Sequence, residues 1–143
     1  MSIYDNPKDK VVSDMVYKAS EWWKEQLCRT DPEQFIEFPQ DRDKSAIFII
    51  ANIFKGRIPK KDLRDFSRLL ESEIMRCFKK EGSVELYTKK WPCELLEHVG
   101  NIVGISGSDF PWFLWMKIEK YKITVKAGKD VAEEVIFFAN LAD

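Results

Sequence analysis

The stretch DFPWFLWM at positions 109–116 places the strongest constraint on the fold, because six of its eight residues are large and apolar. From about Trp112 onwards, its side chains alternate between two faces with the two-residue period of a β-strand. One face opens with Phe113 and Trp115 and then turns polar. The other face is apolar throughout and consists of Trp112, Leu114, Met116 and Ile118. We expect the apolar face to lie in the core, whereas Phe113 and Trp115 must be covered by a helix or by another protein.

Three further segments bear on the predicted sheet. The segment YKITVKAG at 121–128 also alternates, and it predicts a hairpin that turns near Glu119 and Lys120. No Asn-Gly or other glycine turn signal lies there, so the sequence does not fix the register of this hairpin. VELYTK at 84–89 predicts a separate strand. The ending at 130–143 suits a strand or a helix, and we favour a helix because acidic residues precede its apolar run.

Helical periodicity dominates the chain before these strands. Apolar residues recur every three or four positions over about 9–29, which predicts an amphipathic helix. A second helix, apolar on nearly every side, is predicted at about 43–54. A third is predicted at about 59–80 and is closed by Gly82, so that the second and third helices form a hairpin.

Pro92 opens a fourth, short helix that ends at Gly100 or Gly104. Helices therefore dominate the first part of the chain, and short strands with turn signals dominate the last part. This order is typical of an α+β fold, with N-terminal helices packed on a small antiparallel sheet.

Length and composition narrow the class of protein. With 143 residues the chain fits one domain, of which we expect residues 1–8 to be a loose lead-in. The N-terminus lacks the apolar centre of a secretory signal, and no apolar run approaches the roughly 20 residues that span a membrane. Three cysteines without CxxC spacing indicate reduced thiols and not a disulfide framework or zinc site. We predict a cytoplasmic protein, with no indicated metal or cofactor.

The strongest enzymatic alternative involves Cys93 and His98, the only histidine of the chain. Cys93 lies at the start of the predicted short helix, where the helix dipole favours a thiolate, and His98 is a base close to it in sequence. This pair would suit a thiol-dependent hydrolase. No third residue or oxyanion motif accompanies it, so we favour a structural cysteine and a non-enzymatic protein.

The uneven charge of the chain raises a second alternative, which is nucleic-acid binding. Residues 1–54 carry seven Lys/Arg and ten Asp/Glu (−3), residues 55–129 carry sixteen and ten (+6), and residues 130–143 carry none and four (−4). Basic residues cluster at the start of the predicted third helix and line the predicted strand pair, and nucleic-acid binding would combine such cations with stacking aromatic rings. They are Lys55, Arg57, Lys60, Lys61, Arg64 and Arg68 at the helix, and Lys117, Lys122 and Lys126 on the strands. Acidic residues are interleaved and the net charge is −1, so a solvated face is the favoured interpretation.

The segment TDPEQFIEFPQDRD at 30–43 is bracketed by prolines and combines carboxylates with aromatic residues. An inhibitor of a basic partner uses this combination, because complementary charge speeds association and buried aromatic rings supply affinity; the simpler alternative is a solvated loop anchored by its phenylalanines. From this segment and from the second strand face, the predicted partner-binding residues are Asp31, Glu33, Phe35, Glu37, Phe38, Asp41, Phe113 and Trp115.

The order of elements over about 17–126 carries a resemblance to known proteins. ASEWWKEQL is followed by DKSAIFIIANIF, IPKKDLRDFSRLLESEI, a helix ending in HVGNIVGI and then DFPWFLWMKI. This order resembles small bacterial and phage proteins, and it is similar to immunity proteins of contact-dependent growth inhibition systems. The resemblance implies a protein that binds and neutralises one cognate protein toxin, such as a nuclease. It transfers no functional residue, and it leaves the oligomeric state open.

Overall fold

The computed structural model describes residues 7–28 and 58–140. Within these ranges the chain forms helices and one antiparallel sheet, which confirms the predicted α+β class. The helix predicted at 43–54 and the hairpin that it would form lie outside the described residues. In chain order the elements are helix α1 (Pro7–Cys28), helix α2 (Lys60–Glu81), strand β1 (Val84–Tyr87), helix α3 (Glu94–Val103), a 3-10 turn (Gly107–Asp109), and strands β2 (Leu114–Glu119), β3 (Lys122–Ala127) and β4 (Glu134–Phe138).

Each strand pairs antiparallel with the next one along the chain, in the order β1-β2-β3-β4. Met116 lies opposite Leu86 on one side and Val125 on the other. The hairpin between β2 and β3 closes at the pair formed by Glu119 and Lys122, which confirms the turn predicted near Glu119 and Lys120. Its second turn residue, Tyr121, takes a φ of 63°, so the turn forms without the glycine or asparagine that usually supplies this conformation.

The helices cover one face of the sheet, which we call the core face. Its strand residues are Val84, Leu86, Leu114, Met116, Ile118, Ile123 and Val125, all buried. Helix α2 contributes a stripe at the predicted spacing, formed by Leu63, Phe66, Leu70 and Ile74. Phe66 meets Phe110 edge to face at 5.7 Å between ring centroids. Burial of these apolar side chains is the main force holding the described elements together.

Helix α1 carries two adjacent tryptophans, Trp22 and Trp23. Trp23 is fully buried and Trp22 is 9% exposed, and their rings meet at 88° with centroids 5.0 Å apart. Two polar residues of the same helix, Ser20 and Gln26, are also buried. The stripe of α1 is therefore wide enough to take both indoles inward.

Two glycines determine how helix α3 ends. Gly104 adopts a φ of 89° and terminates the helix, its N–H donating to the carbonyl of Gly100. Gly100 lies within the helix, where a Cβ would come 2.7 Å from the carbonyl oxygen of Ile105 and 3.3 Å from the ring of Phe110. The second of the two predicted ends is thus the observed one, and Gly100 allows the chain to fold back closely over the helix.

The preference for a helix over 130–143 is wrong for its central part, because residues 134–138 form strand β4. Val135 lies opposite Thr124, and Phe137 lies opposite Ile123. The run VIFF consists of β-branched and aromatic residues, which suit a half-buried strand. Tertiary structure decides between strand and helix here, because β4 pairs with the backbone groups at the second edge of β3.

Candidate functional site

The candidate site lies on the sheet face opposite the helices, which we call the outer face. Side chains of β1 alternate between buried and exposed, and those of β2 alternate between buried and partly exposed. The two-residue period therefore sends Tyr87 and Trp115 to the outer face. Tyr87 is 40% exposed and Trp115 is partly buried. The outer face thus carries aromatic rings that the described helices leave uncovered.

A groove of about 590 Å³ runs across the outer face between β1 and the end of β3. We call this feature the groove. It is lined by Glu85, Tyr87, Thr88, Lys89, Phe113, Leu114, Trp115, Lys126, Gly128, Lys129 and Glu133. Both residues that the sequence singled out from the second strand face, Phe113 and Trp115, are among them.

Trp115 is held in the middle of a cross-strand row. The register places it opposite Tyr87 on β1 and opposite Lys126 on β3. Side chains opposite each other on neighbouring strands are close enough to pack, so Tyr87 and Lys126 flank Trp115 on the outer face. Neighbours on both sides restrict the rotamers of a ring, so the ring loses less conformational freedom when a partner contacts it.

Phe113 is fixed by its backbone. It adopts a φ of 59°, a left-handed conformation that is strained for a bulky aromatic residue. Its N–H donates to the carbonyl of Lys89 at 2.9 Å, and its own carbonyl accepts from the N–H of Gly128 at 3.0 Å. The ammonium of Lys129 lies 5.3 Å from the centroid of the Phe113 ring, within cation–π distance.

Thr88 anchors the floor of the groove. It is 3% exposed, and its hydroxyl donates to the carbonyl of Pro111 at 2.7 Å and accepts from the N–H of Leu114 at 3.0 Å. The N–H of Thr88 also donates to the carbonyl of Leu114 at 2.8 Å. These bonds hold the segment that carries Phe113 against the end of β1, so the ring positions follow from a buried polar connection.

The charges that line the groove are mixed. Lys89, Lys126 and Lys129 contribute three positive groups, and Glu85 and Glu133 contribute two negative groups. This groove therefore offers aromatic anchors with polar groups of both signs around them. The combination is typical of a surface that contacts another protein.

Cys93 and His98 line a different concavity, of about 920 Å³, together with residues of α2 and β1. Cys93 is the N-cap of α3, as the sequence predicted, and it is partly buried, whereas His98 is exposed. The structure thus brings both residues to one surface.

The acidic half of the predicted site, formed by Asp31, Glu33, Phe35, Glu37, Phe38 and Asp41, lies outside the described residues. Within residues 7–28 and 58–140, no group of three or more His, Cys, Asp or Glu side chains is arranged to hold a metal ion. In the same ranges, no helix is both long and apolar enough to cross a membrane.

Sequence reasoning missed Tyr87, Lys126 and Lys129 as groove residues. Alternation within VELYTK already sends Tyr87 away from the core. Its proximity to Trp115 depends on the register between β1 and β2, which pairs segments separated by α3 and the 3-10 turn. Local pattern contains no signal for such a distant pairing.

A scan of the chain against protein-family models found no matching family, and a comparison with curated proteins found no match.

Proposed function

We propose that this protein acts by binding another protein, without catalysing a reaction, and that it is an immunity protein which neutralises a cognate bacterial toxin. The observation that supports this proposal is the groove, whose lining includes the partly exposed side chains of Phe113 and Trp115. Protein interfaces draw most of their affinity from a few aromatic anchors that become fully desolvated in the complex. Phe113, Trp115 and Tyr87 are the anchors of this proposal.

The rim of the groove favours a protein over a polyanion as the ligand. Glu85 and Glu133 line it beside Lys126 and Lys129. Carboxylates repel a nucleic-acid backbone, whereas a protein partner can present a counterion to each of them. The groove can take an apolar side chain of the partner between the rings, with polar groups of the partner at the rim.

The acidic segment at 30–43 complements this surface in the proposal. Five carboxylates lie in it, at Asp31, Glu33, Glu37, Asp41 and Asp43. A nuclease is basic where it binds its substrate, so such a segment would accelerate association with a nuclease toxin and block its substrate. In this proposal the groove provides the affinity, and the acidic segment increases the association rate and the specificity.

A protection experiment tests the proposal. The tagged protein is purified from its native cell, and a protein that copurifies in stoichiometric amount is identified by mass spectrometry and expressed in a naive host. We expect this protein to be toxic and the wild-type chain to restore growth. Trp115→Ala should lose protection, while Ile102→Ala, a matched change at a 60% exposed position on α3, should keep it. A copurifying protein that is harmless, or full protection by Trp115→Ala, would contradict the proposal.

Truncation of Trp115 can also weaken the fold, so Lys126→Glu serves as a second variant. It reverses a charge at the groove and leaves the aromatic packing of the core face untouched. If the groove is the interface, Lys126→Glu should weaken protection at unchanged thermal stability. A stable Lys126→Glu protein that binds and protects as well as wild type would count against the groove.

Nucleic-acid binding is the second candidate, because the register places Lys117 and Lys126 on the same face as Trp115. Stacking of bases on aromatic rings beside lysines is the usual chemistry of single-strand binding. This candidate predicts association with RNA or DNA that weakens steeply as salt is raised. Ultraviolet absorbance of the purified protein, followed by titration with oligonucleotides at two salt concentrations, separates it from the protein-binding proposal.

A further inference from the structure

Strand β4 forms one edge of the sheet, and in the described part of the chain no strand pairs with its outer side. An edge strand presents a row of unpaired backbone N–H and C=O groups, which other strands can pair. Proteins often protect such edges with lysine, proline, other charged residues or a β-bulge; the sequence of β4, EVIFF, contains no lysine or proline, but it begins with Glu134 and the strand carries a bulge. Val135 is 50% exposed and Phe138 is 68% exposed, so apolar side chains flank these backbone groups.

A β-bulge gives the side chains of β4 an unusual order. Phe137 lies opposite Ile123 and Val135 lies opposite Thr124, so Ile136 is the extra residue. Ile136 and Phe137 both pack against the core, on the side of the buried Ile123. Val135 lies on the outer face, opposite Thr124.

Phe138 also lies on the outer face, because it is opposite Lys122, whose neighbour Ile123 points to the core. The order along 135–138 is therefore outer, core, core, outer. This order reads the same in both directions along the strand, so an identical strand running the opposite way presents the matching pattern.

We propose that β4 pairs antiparallel with β4 of a second copy of this chain, about a two-fold axis that passes between Ile136 and Phe137. In this arrangement Val135 lies opposite Phe138 of the second copy on the outer face, and the symmetry repeats the contact. Pairs of an aromatic and a β-branched residue are favourable across antiparallel strands. Ile136 meets Phe137 of the second copy on the core side, and the two sheets join into one of eight strands.

Charge selects this orientation over a parallel one. Residues 130–143 carry four acidic residues and no Lys or Arg. Parallel pairing in register would place Glu134 directly beside the same carboxylate of the second copy, which is unfavourable. In the antiparallel register, Glu134 lies opposite Ala139, a small and uncharged residue. The inference concerns the edge of the sheet and does not depend on the proposed function of the groove.

Sedimentation equilibrium on the full chain tests the proposal through two designed pairs of substitutions. Val135→Lys with Phe138→Lys places like charges opposite each other twice, whereas Val135→Lys with Phe138→Glu places opposite charges there twice. Each cross-strand pair changes association by roughly fivefold, so the double lysine variant should dissociate about 25-fold more readily than the lysine–glutamate variant. The matched control Ile102→Lys, at a 60% exposed position on α3, should dimerise like wild type.

We expect wild type to be in a monomer–dimer equilibrium that the double lysine variant loses and the lysine–glutamate variant retains. Both variants alter only exposed positions, and circular dichroism with urea unfolding checks that each is folded. A wild-type chain that stays monomeric at every concentration would overturn the proposal. Equal dissociation constants for the two folded variants would overturn it as well, because the register would then be wrong.

Discussion

Removal of the Thr88 hydroxyl should destabilise the protein and loosen the groove at the same time. The hydroxyl donates to the carbonyl of Pro111 and accepts from the N–H of Leu114, and the residue is 3% exposed. Thr88→Val keeps the shape of the side chain but leaves one buried acceptor and one buried donor without this partner. Each such group costs about 1–3 kcal/mol, so we expect a loss of about 2–6 kcal/mol in the free energy of unfolding.

Thr88→Ser is the matched control, because it keeps the hydroxyl and removes one methyl group. Loss of a buried methyl group costs about 1 kcal/mol, so the serine variant should be the more stable of the two. A loss of about 3 kcal/mol, within the range expected for Thr88→Val, would lower the melting temperature of a 143-residue chain by roughly 10 °C.

Urea unfolding followed by tryptophan fluorescence measures both variants. The reasoning predicts that Thr88→Val unfolds at clearly lower urea than Thr88→Ser, with a similar dependence on urea concentration. If the valine variant is as stable as the serine variant, the hydroxyl does not hold the two segments together, and the proposed origin of the groove geometry is wrong.

Three further predictions follow from other parts of the fold. A Cβ at Gly107 would lie 2.4 Å from the indole ring of Trp91, which is 50% exposed, so Gly107→Ala should displace that ring and break its hydrogen bond to Glu97 at a cost of about 1 kcal/mol by urea unfolding; an unchanged midpoint would refute this. The hydrogen bond to Glu21 raises the pKa of Tyr17 above its ordinary value of 10.0. The protonated tyrosine therefore stabilises the fold below pH 10.0, and this stabilisation is lost as the pH rises through the raised pKa. Glu21→Gln should lower the pKa of Tyr17 in an NMR titration. Without a catalytic role, Cys93 should react with iodoacetamide at neutral pH no faster than the other two thiols, and selective rapid alkylation would revive the hydrolase alternative.

Segments with strong internal periodicity could be predicted from the sequence. The helix expected at about 9–29 is observed at Pro7–Cys28, and the one expected at about 59–80 is observed at Lys60–Glu81. The hairpin of β2 and β3 also formed where alternation placed it, except that β2 begins at Leu114 and Trp112, expected in the core, is partly exposed, because the left-handed Phe113 breaks the alternation before the strand. In each case one face is consistently apolar, so burial and local conformation favour the same structure.

Residues 134–138 could not be assigned from local pattern, because the run VIFF is compatible with a helix and with a strand. The free edge of β3 decided between them, and that edge is a property of the assembled sheet. The bulge at Ile136 has the same origin, since it exists only relative to the pairing with β3.

The candidate site was predictable in part. Alternation alone identified Phe113 and Trp115 as aromatic residues on the strand face away from the core, and both line the groove. The left-handed backbone of Phe113 carries no sequence signal, because glycine or asparagine would be the usual residue there. The row that joins Trp115 to Tyr87 needed a register that only the folded chain defines.

The affinity of the purified chain for its partner protein, measured by titration calorimetry with Trp115→Ala and the control Ile102→Ala, tests the central claim most directly. We expect Trp115→Ala to weaken binding by at least about 30-fold, which corresponds to roughly 2 kcal/mol for an interface anchor. Ile102→Ala should bind like wild type. Equal affinity of wild type and a folded Trp115→Ala variant would contradict the claim that the groove is where this protein binds its partner.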